Sequence, residues 1–466
     1  MIKLMKKLLL CILISGFLLF SCCSCTIKVK QSENQPATSD YLKITTLKIS
    51  GVGMHLDRTN LSDEKQIETY EKSSGVQINW KRSAHLEEES AYLEYLSLLT
   101  ASGTLPDLLI FPDLPKISEK NLLIDLDRYI NGDYDYQHIP SVLQKAVSVS
   151  GTVSAVPLRY YLEGYFINHA LFQKEKVSAP TFGSGFTRFF TSIKTLADKK
   201  PGFMILSRFS DIPYWYPVIQ DSPSVWGAYR QNEFDMKHQS FLNGISYASQ
   251  LRAAIYPDKK PEEIPQYSDD DLLKQWKKGN IACYYGSTQN INQISAVAFP
   301  LSYIGIPGNR IVLNADYIGI TRSCSNREEA YSFLKWLSFD IKGVQKRYSH
   351  SNTFLAGSPP LTNNPNIQKI YLKNVSCNGI REAVELLETA VVRGDDYIPF
   401  YHTYITERPY PLSCKPGVTQ PAFKWVNDAV NGAYSYSKYA KELNKFVNWK
   451  QDTTSTPCSS SIFSTP

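Results

Sequence analysis

The stretch from residue 42 to residue 111 switches repeatedly between two hydrophobic patterns. Leu42 to Ile49 alternates apolar and polar residues, which is typical of a half-buried strand. Tyr92 to Leu99 instead places apolar residues three and four positions apart, which predicts one buried face of a helix. Further strands are predicted at Val76 to Trp80 and Leu108 to Phe111, and a further helix at Ser62 to Ser74. This order of elements predicts an α/β fold with a parallel sheet.

The length of the chain predicts the number of lobes, and the ends of the predicted strands indicate where a ligand would bind. The chain has 466 residues, and a single hydrophobic core stops growing at roughly 250–300 residues, so we expect two lobes. Ligands collect at the carboxyl ends of parallel strands, which here places His55, Pro112 and Asp113 near a potential cleft. Later elements are predicted as helices at Phe186 to Lys199 and Asp269 to Lys278 (capped by Ser268), a strand at Ile281 to Tyr285, a helix begun by a capping box from Ser325 to Glu328, and a long helical region from Ala422 to Val447.

The N-terminus has the pattern of an export signal. Met1 to Lys7 carries three lysines, and Leu8 to Phe20 is apolar but shorter than the roughly 20 residues of a membrane span. The four residues that end at Cys22 (Leu-Phe-Ser-Cys) resemble the lipobox of bacterial lipoproteins. That resemblance implies cleavage after residue 21 and a palmitate-type lipid on Cys22. Cys25 is an alternative lipidation site, and an uncleaved anchor helix is an alternative to the signal peptide.

Polar stretches flank the body of the chain. Residues 22–41 are predicted to form a flexible tether and residues 451–466 a disordered tail, because both have few large apolar residues. The body has no C-x-x-C pair, so no metal site is expected, and a disulfide between Cys377 and Cys414 is the one pairing that we predict. The 50 basic and 44 acidic residues form no strong patch, which argues against a nucleic-acid partner.

Catalytic patterns are also missing from the sequence. The acidic runs at 87–89 and 269–271 fit a solvated charge run and a helix start better than a pair of glycosidase carboxylates. The sequence has no G-x-S-x-G elbow and no phosphate-binding loop. We therefore expect a protein that is not an enzyme and that needs no cofactor.

Five segments, in order, resemble the extracellular solute-binding lipoproteins of ABC importers, in particular the carbohydrate-type family 1. They are Tyr70 to Val76; Ala101 to Leu108; Val153 to Leu158 with Ile167 to Phe172 and Ala179 to Thr181; Trp276 to Ala282; and Ile304 to Gly308 with Ser325 to Leu337. Together they extend over roughly residues 42–340. Two positions depart from the family pattern, because Phe182 and Thr288 stand where tryptophan is usual.

The resemblance implies a periplasmic-binding-protein-like fold with two α/β lobes, hinge strands between them and an interlobe cleft. The first lobe would hold residues 42–156 with about 306–365, and the second 157–305 with about 366–450. The implied protein is a monomer, lipid-anchored on the extracellular face of the cell membrane, that captures a solute and delivers it to the subunits of an ABC permease.

The chain is rich in aromatic residues, with 7 Trp, 30 Tyr and 21 Phe, which suits a sugar ligand. Aromatic rings cover the apolar faces of sugars, and charged or amide side chains take their hydroxyls. Trp215 is expected in a loop because Pro213 and Pro217 flank it. The predicted ligand-binding residues are Asp107, Tyr160, Tyr161, Glu163, Trp215, Trp226, Tyr285, Asp316 and Tyr317. A peptide, polyamine or other non-sugar ligand, or a role in adhesion or signalling, stays open as an alternative.

Overall fold

The structure is a computed structural model, and it describes residues 45–51, 61–80, 89–149, 151–221, 225–349 and 357–448. The predicted signal peptide, tether, tail and lipidation site Cys22 lie outside the described residues, as does His55.

One mixed sheet organises the described residues. The strands are β1 (Thr46–Gly51), β2 (Gln77–Trp80), β3 (Leu108–Phe111), β4 (Ser148–Val149), β5 (Thr152–Val153), β6 (Val156–Asn168), β7 (Tyr229–Arg230), β8 (Glu233–Phe234), β9 (Cys283–Ser287), β10 (Leu301–Tyr303), β11 (Val312–Ile320), β12 (Val391–Val392), β13 (Pro409–Pro411) and β14 (Thr419–Pro421). The main sheet has the order β10-β6-β11-β3-β1-β2, with β9 paired to β6 and β12 paired to β11. β1 is parallel to β2 and β3, as the sequence predicts, while β11 runs antiparallel between β3 and β6.

Helices connect and cover these strands. They are α1 (Leu61–Ser74), α2 (Glu89–Ala101), α3 (Leu114–Glu119), α4 (Asp127–Ile130), α5 (Ser141–Ala146), α6 (His169–Lys174), α7 (Phe186–Lys199), α8 (Ile212–Gln220), α9 (Gln239–Ile255), α10 (Asp269–Lys277), α11 (Ile291–Ile294), α12 (Arg327–Ser338), α13 (Ile341–Ser349), α14 (Pro365–Asn374), α15 (Ile380–Glu385), α16 (Gly394–Tyr397), α17 (Ala422–Val430) and α18 (Tyr436–Val447). The predicted Ser268 cap of α10 is confirmed, since its side chain accepts a hydrogen bond from the backbone N–H of Asp271.

The long strand β6 is buried along its whole length and connects the parts of the sheet. Glu163 marks the point where its partners change, because it is in register with Val312 of β11 on one side and with Ser287 of β9 on the other. Beyond this residue β6 continues with β9 and β10. A continuous strand that passes between two groups of partners is a suitable hinge element.

Two hydrophobic clusters lie among the described residues. The first packs around β1, β3 and α12 and includes Leu108 and Phe333, while the second packs around α7, α9 and α17 and includes Phe189 and Trp425. The clusters do not follow the predicted lobe boundaries everywhere. Trp276 and the segment from Ile367 to Val392 belong to the first cluster, although the sequence assigns both to the second lobe.

Three local predictions are wrong, those for Trp215, Ser325 and the cysteine pair. Trp215 lies in helix α8 rather than a loop: Pro213 is in its first turn, where no N–H bond is lost, and burial of one face outweighs the bond that Pro217 removes. The capping box at Ser325 is not formed, because α12 begins at Arg327 after Asn326 without a side-chain cap. The predicted C-terminal helical region is confirmed at both its ends, Ala422 and Val447, and consists of two helices, α17 and α18, with Gly432 (φ +87°) between them. Cys377 and Cys414 are both free thiols, and they pack against different clusters.

Candidate functional site

A cavity of about 360 Å³ lies beside the hinge position of β6. It is lined by Glu163, Arg208, Ser210, Asp211, Tyr214, Trp226, Tyr285, Arg393, Asp395, Tyr401, His402, Ile405, Thr406, Phe423 and Asn427. A larger groove of about 830 Å³ runs along β7 and β8, but none of the nine predicted ligand-binding residues lines it. The smaller cavity brings together three of the nine, Glu163, Trp226 and Tyr285.

Glu163 and Arg393 form the charged centre of this cavity. Arg393 Nη1 donates to Glu163 Oε1 at 2.9 Å, and Arg393 Nε donates to Asp395 Oδ1 at 2.8 Å. A second contact joins Arg393 Nη2 to Asp395 Oδ2, so the carboxylate takes the guanidinium in a two-point fork. Burial raises the pKa of Glu163, and Arg393 opposes part of that rise. Burial favours a neutral Arg393, but Asp395 and Glu163 hold its pKa well above the ordinary value.

Backbone pairing fixes the two sides of this centre. Glu163 is held by its place on β6. Arg393 directly follows β12, and its backbone N–H donates to the carbonyl of Leu313 at 2.8 Å. Asp396, three residues after Arg393, accepts a hydrogen bond from the N–H of Ala315 at 2.7 Å. The segment after β12 is therefore attached to β11, and the fork of Arg393 is held in place from both ends.

Aromatic rings form the walls around the charged centre. The hydroxyl of Tyr285 donates to Glu163 Oε2 at 3.4 Å, and its ring meets Tyr165 edge to face at 5.1 Å. Trp226 is buried against Gly394, where a Cβ would approach its ring to 2.4 Å. Phe423 of α17 differs from these residues, because 44% of it is exposed while it lines the cavity. The walls thus offer flat apolar faces next to hydrogen-bonding groups.

The C-terminal wall is connected to the turn after β3. His402 Nε2 lies 2.9 Å from Asp113 Oδ2, and Lys116 Nζ lies 3.5 Å from Glu407 Oε1. The wall itself has unusual backbone: Phe400 has φ +59°, and His402–Glu407 is a π-helix. Both features concentrate at functional sites in proteins.

Adjacent residues on a strand point to opposite faces of the sheet. This alternation separates Tyr160 from Tyr161 and Asp316 from Tyr317, all of which are predicted ligand-binding residues. Tyr160 is in the first hydrophobic cluster and does not line the cavity. Tyr161 shares the other face of β6 with Glu163, and its hydroxyl donates to Asp316 Oδ2 at 3.0 Å. Tyr317 is fully buried and stacks on Phe111 with ring centroids 6.3 Å apart. Tyr161 and Asp316 thus form a buried polar pair outside the cavity.

Two further predicted residues lie elsewhere. Asp107 precedes β3, at the opposite end of that strand from Asp113, and its carboxylate accepts the N–H of Lys48 at 2.8 Å. This bond ties β1 to β3, which is a structural role. Trp215 is fully buried in the second cluster, where its ring meets Phe189 and Tyr165 edge to face, so it presents no free face to a ligand.

Sequence reasoning missed the C-terminal half of the lining. Eight of the fifteen lining residues lie between Arg393 and Asn427. The stretch from Arg393 to Thr406 carries no family-like motif and no regular period, and it follows the short pairing of β12 with β11. Phe423 and Asn427 lie in the predicted C-terminal helical region, whose period gives no sign of the cavity. A two-residue strand leaves no readable signal in a sequence.

Two negative findings hold for the described part of the chain. No helix there is long and apolar enough to cross a membrane. No group of three or more His, Cys, Asp or Glu side chains there is arranged to hold a metal ion.

Comparisons with known proteins agree with this architecture. An ABC substrate-binding protein from Listeria monocytogenes in complex with cycloalternan is 17% identical, with a TM-score of 0.63 over 87% of this chain and 98% of that one. The sugar-binding protein MalE from Xanthomonas citri is 14% identical, with a TM-score of 0.65 over 87% and 96%. A cyclo/maltodextrin-binding protein complexed with maltotetraose is 13% identical, with a TM-score of 0.60 over 90% and 100%.

These likenesses confirm the predicted two-lobed α/β fold of the periplasmic binding proteins. The comparison with curated proteins gives no match. The model of one family, described as bacterial extracellular solute-binding protein, matches residues 65–358, which is more than half of the chain. The chain therefore belongs to the bacterial extracellular solute-binding protein family.

Proposed function

We propose that this chain is a receptor, rather than an enzyme, that captures an extracellular oligosaccharide in the cavity beside Glu163 and delivers it to an ABC permease. One observation carries the proposal: the cavity combines aromatic faces with paired charged groups at the hinge position of β6. Sugars need both, because their C–H faces stack on rings and their hydroxyls take directed hydrogen bonds.

The size of the cavity supports a small or terminal sugar unit. Ligand sites of proteins occupy about 300–1,000 Å³, and the present cavity of about 360 Å³ lies at the lower end. The exposed ring of Phe423 offers a surface on which a longer ligand continues outward. Structurally similar proteins were solved with cycloalternan and with maltotetraose, which supports the same ligand class here.

Capture would use the hinge. We propose a first lobe built on residues 42–156 and about 306–365 and a second built on 157–305 and about 366–450. The first hydrophobic cluster favours extending the first lobe to about residue 392. All fifteen lining residues belong to the second lobe so defined, and the first lobe reaches the cavity wall through Asp113, which contacts His402. A ligand that extends from the cavity to this part of the first lobe favours closure by its extra contacts in the closed state.

The lipid anchor is a separate part of the proposal. Lipid on Cys22 would hold the monomeric receptor at the extracellular face of the membrane, since each buried CH₂ contributes about 0.8 kcal/mol. The test expresses the full chain in a bacterium fed a labelled fatty acid. Cys22→Ser is expected to lose the label and leave the membrane fraction, whereas Cys25→Ser keeps both. A labelled Cys22→Ser protein would contradict the assignment.

Ligand capture is tested by thermal unfolding of the purified full chain with maltose, maltotetraose, xylotetraose, peptides and polyamines. A ligand at about 100 times its dissociation constant stabilises the fold by about 2.7 kcal/mol, which is a shift of a few degrees. We expect a shift with a glycan. Shifts only with peptides or polyamines would replace the ligand class, and a cooperative transition that no compound shifts would favour adhesion or signalling.

A further inference from the structure

Arg393 is more constrained than any other charged side chain that lines the cavity. Its five N–H groups make three contacts among the described residues, with Glu163 through Nη1 and with Asp395 through Nε and Nη2. One N–H therefore remains on each terminal nitrogen. The side chain is 34% exposed and lines the cavity, so these two donors have access to a ligand.

The contacts of Arg393 come from two different parts of the chain. Glu163 lies on the hinge strand, inside the stretch that matches the family. Arg393 and Asp395 lie after β12, beyond the end of that match at residue 358. The donors are thus supplied by a segment that follows the family match and are aligned by a carboxylate of the family-matched hinge strand.

We propose that Arg393 is a specificity-determining residue whose two remaining N–H groups bind adjacent oxygens of an uncharged glycan, with Glu163 and Asp395 as its positioning residues. The proposal rests on the proposed function. Two carboxylates already neutralise the guanidinium, so it serves as an oriented pair of donors rather than as an unpaired positive charge.

Charge in the cavity favours an uncharged ligand. Three carboxylates, those of Glu163, Asp211 and Asp395, line it against the two guanidiniums of Arg208 and Arg393 and the imidazole of His402, which is paired with Asp113. Arg208 is also paired, since its Nη1 lies 3.9 Å from Asp211 Oδ2 and its Nη2 contacts Asp269. A uronate would meet no unpaired guanidinium and would be repelled by the carboxylates.

The test separates the donor geometry of Arg393 from its charge. Lysine keeps the charge but lacks the planar fork, so Arg393→Lys is expected to bind neutral glycans about tenfold or more weakly. Arg188→Lys, an exposed arginine of α7, is the matched control and is expected to bind like the wild type. Calorimetric titration of the full chain uses maltose, maltotetraose, xylotetraose and trigalacturonate as probes.

A second variant changes the balance of charge without removing the arginine. Asp395→Asn removes one carboxylate and one of the two groups that hold Arg393. It is expected to weaken the binding of neutral glycans and to reduce the ratio of their affinity to that of trigalacturonate. A merely structural role of Asp395 would not change that ratio. Thermal melts of both variants show whether the fold is kept, and Asp395→Asn remains informative where Arg393→Lys does not fold.

The outcomes distinguish this inference from the proposed function. Weaker neutral binding in Arg393→Lys, with wild-type preference for neutral glycans, supports it. If the wild type binds a neutral glycan and Arg393→Lys binds it equally well, the inference is overturned but the proposed function stands. Tighter wild-type binding of trigalacturonate than of every neutral glycan also overturns it. A wild type that binds no glycan overturns the proposed function and the inference with it.

Discussion

His402 Nε2 lies 2.9 Å from Asp113 Oδ2, which connects the C-terminal wall of the cavity to the turn that follows β3. Asp113 also begins α3, where its other oxygen accepts the N–H of Lys116 at 3.0 Å. A single carboxylate therefore fixes a helix start and a histidine of the cavity wall. This contact makes the stability of the wall sensitive to pH.

The first prediction concerns that sensitivity. Burial opposes the charged imidazole, but Asp113 and Asp395 outweigh burial and Lys116, and the pKa of His402 is raised. A raised pKa in the folded state gives stability that is fully present below the ordinary value near 6.5 and is lost as pH rises through the raised value. We expect the wild type to lose about 0.5–1 kcal/mol more than His402→Gln between pH 5.5 and 8.5, by urea unfolding. His138→Gln is the control, and equal losses in wild type and His402→Gln would contradict the assignment.

The second prediction concerns Gly394, at the foot of the wall. An added Cβ would lie 2.4 Å from Trp226 Cδ1, 2.9 Å from Ile398 Cδ1 and 3.0 Å from Tyr401 Cε2. The rings of Trp226 and Tyr401 both line the cavity, so Gly394→Ala is expected to destabilise the fold by about 1–3 kcal/mol and to weaken glycan binding. Gly185→Ala is a matched control, because nothing lies within 4 Å of its Cβ position. Melting and titration that match the control would show that the wall tolerates the methyl group.

The third prediction concerns Phe423, which lines the cavity while 44% of it is exposed. Stacking of an aromatic ring is worth about 0.5–1.5 kcal/mol, so Phe423→Ala is expected to weaken glycan binding about two- to tenfold. Tyr267→Ala, at 41% exposure and outside the cavity, is expected to leave binding unchanged. Equal affinities in calorimetric titration of the two variants would remove Phe423 from the site.

The fourth prediction concerns a buried cluster of three charged side chains, in which Asp63 contacts Arg159 of β6 and Arg347. Arg159 Nη2 lies 2.5 Å from Asp63 Oδ2, and Arg347 Nε lies 3.5 Å from Asp63 Oδ1. Burial, and then the nearby Arg159, lower the pKa of Arg347 to about 10. Asp63→Ala leaves both guanidiniums without this carboxylate, so we expect a loss of about 3–5 kcal/mol in urea unfolding.

Glu64→Ala, one residue along the same helix and less buried, is the control for that experiment. Its expected effect is within about 0.5 kcal/mol, because no ion pair joins it to another residue in the part of the chain that the structure describes. A loss below about 1 kcal/mol for Asp63→Ala would mean that solvent or another carboxylate replaces Asp63 in the variant.

Local periodicity carried much of the fold. The strand at Leu108–Phe111 and the helix at Phe186–Lys199 have the bounds that the sequence predicts. The strand is a short run of buried apolar residues and the helix buries one apolar face, and each of these patterns can be read locally. The order of the family-like segments gave the two-lobed fold, which the comparisons confirm. The apolar patterns are local, and the order of the segments follows the chain, so both can be read from a single sequence.

The site was less predictable because it depends on side-chain direction and on distant pairing. Tyr160 and Tyr161 cannot be told apart by residue type. Because side chains alternate along a strand, Tyr160 lies in the first hydrophobic cluster and Tyr161 lies on the same side of β6 as Glu163. The two prolines that flank Trp215 predict a loop, yet Trp215 and both prolines lie in a short, largely buried helix. Arg393 reaches Glu163 across 230 residues of chain, through a two-residue strand that has no sequence signature.

The most direct test of the account is calorimetric titration of the full chain, purified in detergent, with maltotetraose and xylotetraose, repeated on Arg393→Lys, Phe423→Ala and Arg188→Lys. The account predicts one binding site for at least one of these glycans, with weaker binding in the first two variants and wild-type binding in the third. Absence of binding to both glycans in a chain that melts cooperatively, or binding that none of the variants changes, would contradict the claim that this cavity captures an oligosaccharide.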